Sequence, residues 1–469
     1  MEDRSRGEAD LGVQQTLTAL VDLLLRETAL FAAAGFLVLG LSDLAVDLLW
    51  IVRTLWRCAA GIERGKGTIQ AVPAAAAPGR IAVFVPAWDE GEVIAPMLRH
   101  ALGAWVAGDF RIFVGCYPND PATIAAVQGV GDARVQAVVG PGPGPTTKAD
   151  CLNVLWAAML ADEARASRRF KAVALHDAED VVHSAELRIF DALVERFDLV
   201  QLPVLPLIDR TSRWVAGHYA DEFAEAHGKG LVVRGAIGAA LPSAGVGCAI
   251  AREALERLAE GGGGCPFAAE SLTEDYELGL RLRRGGGRAA FVRLRAAPRG
   301  AVVATREYFP ATLRDAVSQK ARWMRGIALS GWDRLGWSGG LAERWMRMRD
   351  RQSVLAALLL VSGYAVFVIW TLRMAGTAAG LPPVEMPAGL HLLLLGNGAL
   401  LLWRLAMRFG FVAEAYGWRE GLRAVPRTLV GNLIEIRAAA RAVSLYAGAR
   451  GAVRWDKTRH AFPSEVPGE

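Results

Sequence analysis

Three stretches of this chain, at about residues 29–52, 353–373 and 389–411, reach the roughly 20 apolar residues that one bilayer crossing requires. Lipid offers the backbone no hydrogen-bond partner, so each stretch must cross as a helix. The first is not a cleaved signal peptide, because acidic residues precede it and no small-residue cleavage site follows. Between the first and second crossings lies a long segment of ordinary polarity. With 48 Asp and Glu among 469 residues the chain is too acidic to be mostly membrane, and at 53% hydrophobic it is too apolar for disorder. A soluble domain joined to a few spanning helices satisfies both limits.

Charge placement orients the helices. Residues 341–469 carry sixteen Arg and Lys against nine Asp and Glu, so the whole surplus behind the net charge of +5 belongs to the hydrophobic C-terminal part. Arg there belongs against anionic headgroups. A nucleic-acid partner is not expected, since there is no zinc-finger spacing and no basic stripe interleaved with aromatics. Arg53, Arg57, Arg64, Lys66 and Arg80 follow the first span, and Arg344, Arg347, Arg349 and Arg351 precede the second. The 374–388 connector has no basic residue, while Arg404, Arg408, Arg419, Arg423 and Arg427 lie at or beyond the end of the third. The positive-inside rule then predicts an external N-terminus, a cytoplasmic segment 60–350, a short external loop and a cytoplasmic tail.

Asp43 and Asp47 share one face of the first span, which suits either helix pairing or a polar path for substrate. Residues 414–450, with Leu429, Leu433, Ile436 and Leu445 among arginines, read as a helix on the membrane surface. The first twenty-odd residues, including LTALVDLLL, read the same way outside. The five cysteines form no CxxC pair, which suits packed thiols in a reducing compartment.

The chain thus divides into an N-terminal segment with the first span (1–60), an Ala/Pro/Gly-rich linker (61–79), a cytoplasmic domain (80–340), a helical pair (341–412) and a tail (413–469). In the domain, IAVFVPA, FRIFVGCYP, ARVQAVVG and FKAVALHDAED read as strands, with helices between them. Buried strands alternating with helices predict an α/β domain with a largely parallel sheet. Ligands bind beyond the carboxyl ends of such strands. Weight therefore falls on Trp88-Asp89-Glu90, Asn119-Asp120 and Asp177-Ala178-Glu179-Asp180. No GxGxxG follows the first strand and no GxxxxGK[ST] occurs, so the simplest dinucleotide and P-loop readings fall away. Gly261–Gly264 reads as a flexible loop.

Three local signals carry chemistry. Asp177 and Glu179, one residue apart in a strand-end loop, can converge on a hard cation such as Mg2+ or Mn2+, although most such pairs are solvated turns. Such an ion would neutralise a leaving diphosphate. Ser271-Leu272-Thr273-Glu274-Asp275-Tyr276 opens a helix, where the acids can also be an ordinary N-terminal cap. Gln319-Lys320-Ala321-Arg322-Trp323 lies on a helix just before the membrane, where Trp and Arg also suit the headgroup layer.

Taken in order, these signals resemble the membrane-bound family-2 glycosyltransferases, which include cellulose and hyaluronan synthases. Their signature combines an Asp after an early strand, DxD, T/S-E-D and QxxRW. Here it reads Asp177-Ala178-Glu179, Thr273-Glu274-Asp275 and Gln319, Arg322, Trp323, over about residues 80–330. The resemblance implies a GT-A domain, with a Rossmann-like mixed sheet, beside about three transmembrane helices in a bacterial inner membrane. It implies inverting transfer from a nucleotide-diphospho-sugar, by family habit a UDP-sugar, to a glycan or lipid acceptor. Asp275, beside Glu274, would be the general base, and Asp177 and Glu179 would hold the metal. Asp120 would lie near base or ribose, with Asn119 as a substitute, and Lys148 and Asp177 near the nucleotide-sugar. Gln319, Arg322 and Trp323 would flank acceptor and diphosphate. The sequence departs from the pattern in its DxE, in the adjacent Asp180, and at Ser243–Cys248, which matches the synthases' acceptor motif poorly.

FVGCYPNDPAT, TTKADCLN, LHDAEDVVH, LTEDYELGLRL and RWDKTRHAFP carry a closer resemblance, to the bacteriophage adsorption protein B-like family. Many of its members continue into a cyclic di-GMP-binding type of domain, an input expected to be absent here or supplied in trans. The expected activity is elongation and export of an envelope polysaccharide, for which three spans would call for a homodimer or an outer-envelope partner. The alternatives are single transfer to a membrane lipid and a catalytically silent scaffold for an envelope complex or phage uptake.

Overall fold

A computed structural model describes residues 2–61, 67–298, 300–448 and 460–463, with side chains from Gln14 onward. Arg64, Lys66 and residues 454–459 of the RWDKTRHAFP string lie outside the described residues.

The domain is built on seven strands: β1 (Ile81–Pro86), β2 (Phe110–Cys116), β3 (Val135–Val139), β4 (Ala172–Leu175), β5 (Leu199–Gln201), β6 (Cys248–Ala251) and β7 (Ala289–Phe291). Their order is β3-β2-β1-β4-β6-β5-β7, parallel except that β6 runs against β4 and β5. The sheet is mixed and mostly parallel, as the resemblance implies. The continuous apolar run of β1 follows from burial on both faces. Ile81, Val83 and Val85 pack with helices α2 (Ile94–Ala104) and, beyond α3 (Pro121–Gln128) and α4 (Lys148–Ala166), α5 (Glu186–Leu193). Ala82 and Phe84 face the other way, onto Leu152, Leu155 and Trp156 of α4. That second layer continues past α6 (Val215–Glu225) and α7 (Leu231–Ala236) into α8 (Arg252–Glu260) and α9 (Glu274–Arg284).

Strand β4 ends at Leu175, so the acids read as its continuation stand in a loop. Because β1, β2 and β4 are parallel, the loops after all three leave the same edge of the sheet. Helix α10 (Leu313–Met324) carries the Gln319–Trp323 signal, and α11 (Gly331–Leu335) and α12 (Leu341–Arg351) lead toward the membrane.

Among the described residues three helices are long and apolar enough to cross a bilayer: the part of α1 (Glu2–Ala59) from Gln14 onward, α13 (Ser353–Ala378) and α14 (Ala388–Tyr416). The LTALVDLLL segment is continuous with the first span rather than a separate helix. Small residues let these helices approach: Gly35 lies against Leu359 and Gly40 against Leu400. Of the two readings for the acids of the first span, the contacts are those of helix pairing. Asp43 meets Arg349 at 2.8 Å and Arg404 at 2.9 Å. Asp47 takes Lys229 at 2.5 Å and the indole N–H of Trp403 at 2.9 Å, fastening the span to the turn between α6 and α7.

The last helix, α15 (Trp418–Ala447), is amphipathic. Leu422, Leu429, Leu433 and Leu445 are exposed, while Ala424, Ile434, Ala438 and Ala442 are buried. Its buried face carries Arg427, whose guanidinium grips Asp221 of α6 at 2.7 and 2.9 Å and Glu420 at 3.0 Å. Gly217 leaves the room, since a Cβ there would lie 2.2 Å from Nη1 of that arginine.

Arg427→Ala strands a buried carboxylate and is expected to cost about 3–5 kcal/mol, read as a lowered thermal midpoint in detergent. Asp221→Leu with Arg427→Met should recover much of the loss. For the topology, an impermeant maleimide applied to spheroplasts should label a cysteine placed at Ala379 and spare the exposed Cys265.

Candidate active site

Lys148 opens helix α4 because Thr147 and Asp150 form a reciprocal capping box that fixes the start of the helix there. Its ammonium lies 2.6 Å from Asp177 Oδ1, on the loop after β4. That loop is braced from beneath. Asp180 Oδ2 accepts from the Asp177 N–H at 3.1 Å and meets His176 Nδ1 at 2.8 Å. His176 Nε2 stands 3.3 Å from Glu186 on α5, and all three side chains are fully buried. Burial alone would lower the His176 pKa, but the two carboxylates win and hold it at about 10. An imidazolium between two acids therefore sets where Asp177 stands.

The acids at the head of α9 face the same cation. Burial raises the Asp275 pKa, and the positive charges of Lys148 and Arg322 oppose that rise. Burial and the neighbouring Asp275 push Glu274 up to about 7. Burial would lower Lys148, but Asp177, Glu274 and Asp275 raise it. One ammonium thus serves three carboxylates drawn from two segments about a hundred residues apart. The Ser243–Cys248 turn closes on this group: Gly245 has φ +77°, and a Cβ there would lie 2.8 Å from Asp275 Oδ2. Gln319 Oε1 on α10 and Thr273 Oγ1 before α9 are buried without a hydrogen-bond partner among the described residues. Arg334 holds the head of α9 through Ser271 and Glu277.

Other expected site residues are held by partners of their own. Both Asp120 oxygens are occupied by backbone donors, Asp89 N–H at 2.6 Å and Thr123 N–H at 3.2 Å, so this carboxylate shapes the loops at the rim. Asn119 exchanges hydrogen bonds with Gly144, which packs between Trp88 and Tyr117. Trp323 sits among Tyr219, Phe223 and Phe309, with centroids 6.0–6.4 Å away. Its neighbour Lys320 is claimed by Glu222 of α6 and Glu435 of α15.

The two acids of the expected metal pair have different direct partners. Asp177 turns to Lys148, whereas Glu179 is buried with Glu90 and with His460 from the tail. His460 Nδ1 lies 2.8 Å from Glu90 and 3.3 Å from Glu179. Glu179 Oε2 is buried without a hydrogen-bond partner among the described residues, and burial raises the pKa of its carboxyl. An orphaned buried oxygen among two carboxylates and an imidazole fits a divalent ion. Glu90, His460 and His176 were not among the site residues read from the sequence. The signal for Glu90 was its place after the first strand, and His460 lay within the string RWDKTRHAFP.

The family described as "Glycosyltransferase like family 2" matches residues 78–326, the span that holds this constellation. The chain belongs to that family. It is also 37% identical over 468 residues to the bacteriophage adsorption protein B of Escherichia coli K12, and equally to the bacteriophage N4 adsorption protein B of Escherichia coli O157:H7. The match covers 94% of this chain and 62% of each relative's length. Among solved structures, a mannosyltransferase from Pyrobaculum calidifontis, in complex with GDP-Man and Mn2+, superposes at a TM-score of 0.50 and 17% identity. That superposition covers 89% of this chain and 99% of the other, and shows that the two share a GT-A-like fold.

His176→Ala leaves Asp180 and Glu186 buried without their cation. The expected loss is about 3–5 kcal/mol, measured by thermal unfolding in detergent, whereas a surface control such as Glu253→Ala should change stability by less than about 0.5 kcal/mol.

Proposed function

We propose that this family-2 glycosyltransferase is an inverting enzyme of the bacterial inner membrane, its catalytic domain cytoplasmic and its N-terminus periplasmic. In this reading it takes a nucleotide-diphospho-sugar, a UDP-sugar by preference, and lengthens an envelope polysaccharide that passes outward. The observation that carries this reading is the ion pair of Lys148 and Asp177 at the carboxyl edge of the sheet, with Glu274 and Asp275 near enough for their charges to act on the same ammonium. A buried group of this kind has little use in packing and suits a reaction that separates charge.

Asp275 acts as the general base. As the acceptor oxygen attacks the anomeric carbon, its proton passes to the carboxylate, and the bond from that carbon to the diphosphate breaks with its electron pair leaving on the diphosphate. Attack opposite the leaving group inverts the anomeric centre. Glu274 lies beside the base, and Lys148 and Arg322 favour the ionised form of Asp275 against burial. Lys148 and Asp177 line the nucleotide-sugar, under a rim shaped by Asp120. A Mg2+ or Mn2+ at the Asp177–Glu179 loop would supply positive charge to the leaving diphosphate. Gln319 and Thr273, whose buried oxygens have no hydrogen-bond partner among the described residues, offer acceptors to sugar hydroxyls, and Arg322 counters charge near Trp323. Three candidate spans are few for a private sugar channel, so a homodimer or an outer-envelope partner would complete export. An exported envelope glycan accords with the names of the relatives, which speak of bacteriophage adsorption.

Membranes containing the protein should release UDP from one member of a UDP-sugar panel, and chelator should stop it. Asp275→Asn should lower turnover by about 100-fold or more. Full activity in Asp275→Asn, or no release from any donor, would overturn the reading. The rate should rise with pH as the Asp275 carboxyl, raised by burial, loses its proton. Lys148→Gln removes a cation that favours the ionised base, so this acid limb should move to higher pH in the residual activity.

A further inference from the structure

Residues 460–463 come from beyond the last helix, yet they lie against the first layer of the catalytic domain. Phe462 packs on that core with its ring centroid 5.9 Å from His100, and Pro463 is buried. Packing on both these side chains fixes the backbone next to His460. The imidazole then enters between two acids from different strand-end loops. Glu90 follows β1 and is held by its N–H donating to Thr123 Oγ1 at 2.9 Å, and Glu179 follows β4. One ligand atom from each of the three residues lies within 4.8 Å of the others.

Two interpretations meet this geometry. A protonated His460 would serve as a clasp between the acids, but it leaves Glu179 Oε2 buried without a hydrogen-bond partner among the described residues. A dication would satisfy two carboxylates and a neutral imidazole together, that oxygen included. The nitrogen donor favours a first-row transition ion over Mg2+, which is bound chiefly by oxygen.

We propose that Glu90, Glu179 and His460 together bind one divalent transition-metal ion, for which Mn2+ serves as the probe, so that the C-terminal tail supplies a ligand to the donor side of the catalytic domain. The proposal rests on the metal-dependent reading above and adds two ligands, Glu90 and His460, to Glu179 of the loop. Its consequence is that metal loading reports whether the tail is docked.

The test is Mn2+ binding to the full chain in detergent without any sugar donor, followed by electron paramagnetic resonance. The wild type should bind one Mn2+ with a 14N coupling from a ligated imidazole. His460→Ala should abolish that coupling and weaken binding by at least about 10-fold, and Glu90→Gln should weaken it similarly. His460→Asp separates the two interpretations: a third carboxylate still binds Mn2+, without 14N coupling, whereas in a clasp it replaces the cation with a like charge. Phe462→Ala, which leaves every ligand in place, should lower affinity by loosening the tail. Absence of bound Mn2+, or binding with the same affinity and spectrum in His460→Ala, would overturn the proposal. Because no donor is present, these outcomes are independent of whether any UDP-sugar turns over. Turnover that needs metal but is indifferent to His460 would sink the ligand assignment alone.

Discussion

Taking a carboxylate out of water costs several kcal/mol unless a cation or hydrogen-bond donors replace the solvent, and the parts of this protein are joined where that replacement is made. Asp47 in the first span is satisfied by Lys229 of the catalytic domain and Trp403 of the third span. Asp221 is satisfied by Arg427, and Lys320 by Glu222 and Glu435. The same rule places His176 between Asp180 and Glu186, and Lys148 among three acids. Apolar packing makes each layer cohere but is indifferent to small slides. A buried ion pair tolerates little displacement, so it sets the register between layers.

Helix α10 shows what this means for the site. It lies between α6 and α15, and Lys320 ties it to both. Arg322, whose charge acts on Asp275 and Glu274, stands two residues along the same helix. The exposed leucines of α15 offer an apolar surface on one side while its ion pairs hold α10 and α6 on the other. A shift of α15 relative to α6 would therefore be felt at Arg322. Helices α6, α10 and α15 thus share one buried ammonium, that of Lys320.

Much of the fold was legible because its signals are local. Twenty apolar residues in a row have few other places to go, and IAVFVPA suits a strand covered on both faces. The placement of acids after β1, β2 and β4 was visible too, since parallel strands send their loops to one edge. The division of labour among those acids was not. Asp120 and Asp177 look alike in sequence, yet one caps backbone N–H groups and the other meets Lys148. DxE suggested two carboxylates on one ion, but the chain turns there, with the Asp180 N–H donating to the Asp177 carbonyl, and the two side chains take different partners.

What the sequence determined by itself was the set of elements and the chemical repertoire: three apolar helices, an α/β domain and strand-end acids beside a Lys. These follow from periodicity and side-chain chemistry over a few neighbouring residues. Tertiary structure decided which charge compensates which. It paired Asp43 with Arg349 and Arg404 and Asp47 with Lys229 of the domain, built α15 onto α6 and α10, pressed Gly245 against Asp275 and set His460 between Glu90 and Glu179. Each of those contacts joins residues far apart along the chain, and its energy exists only once folding has removed the water between them.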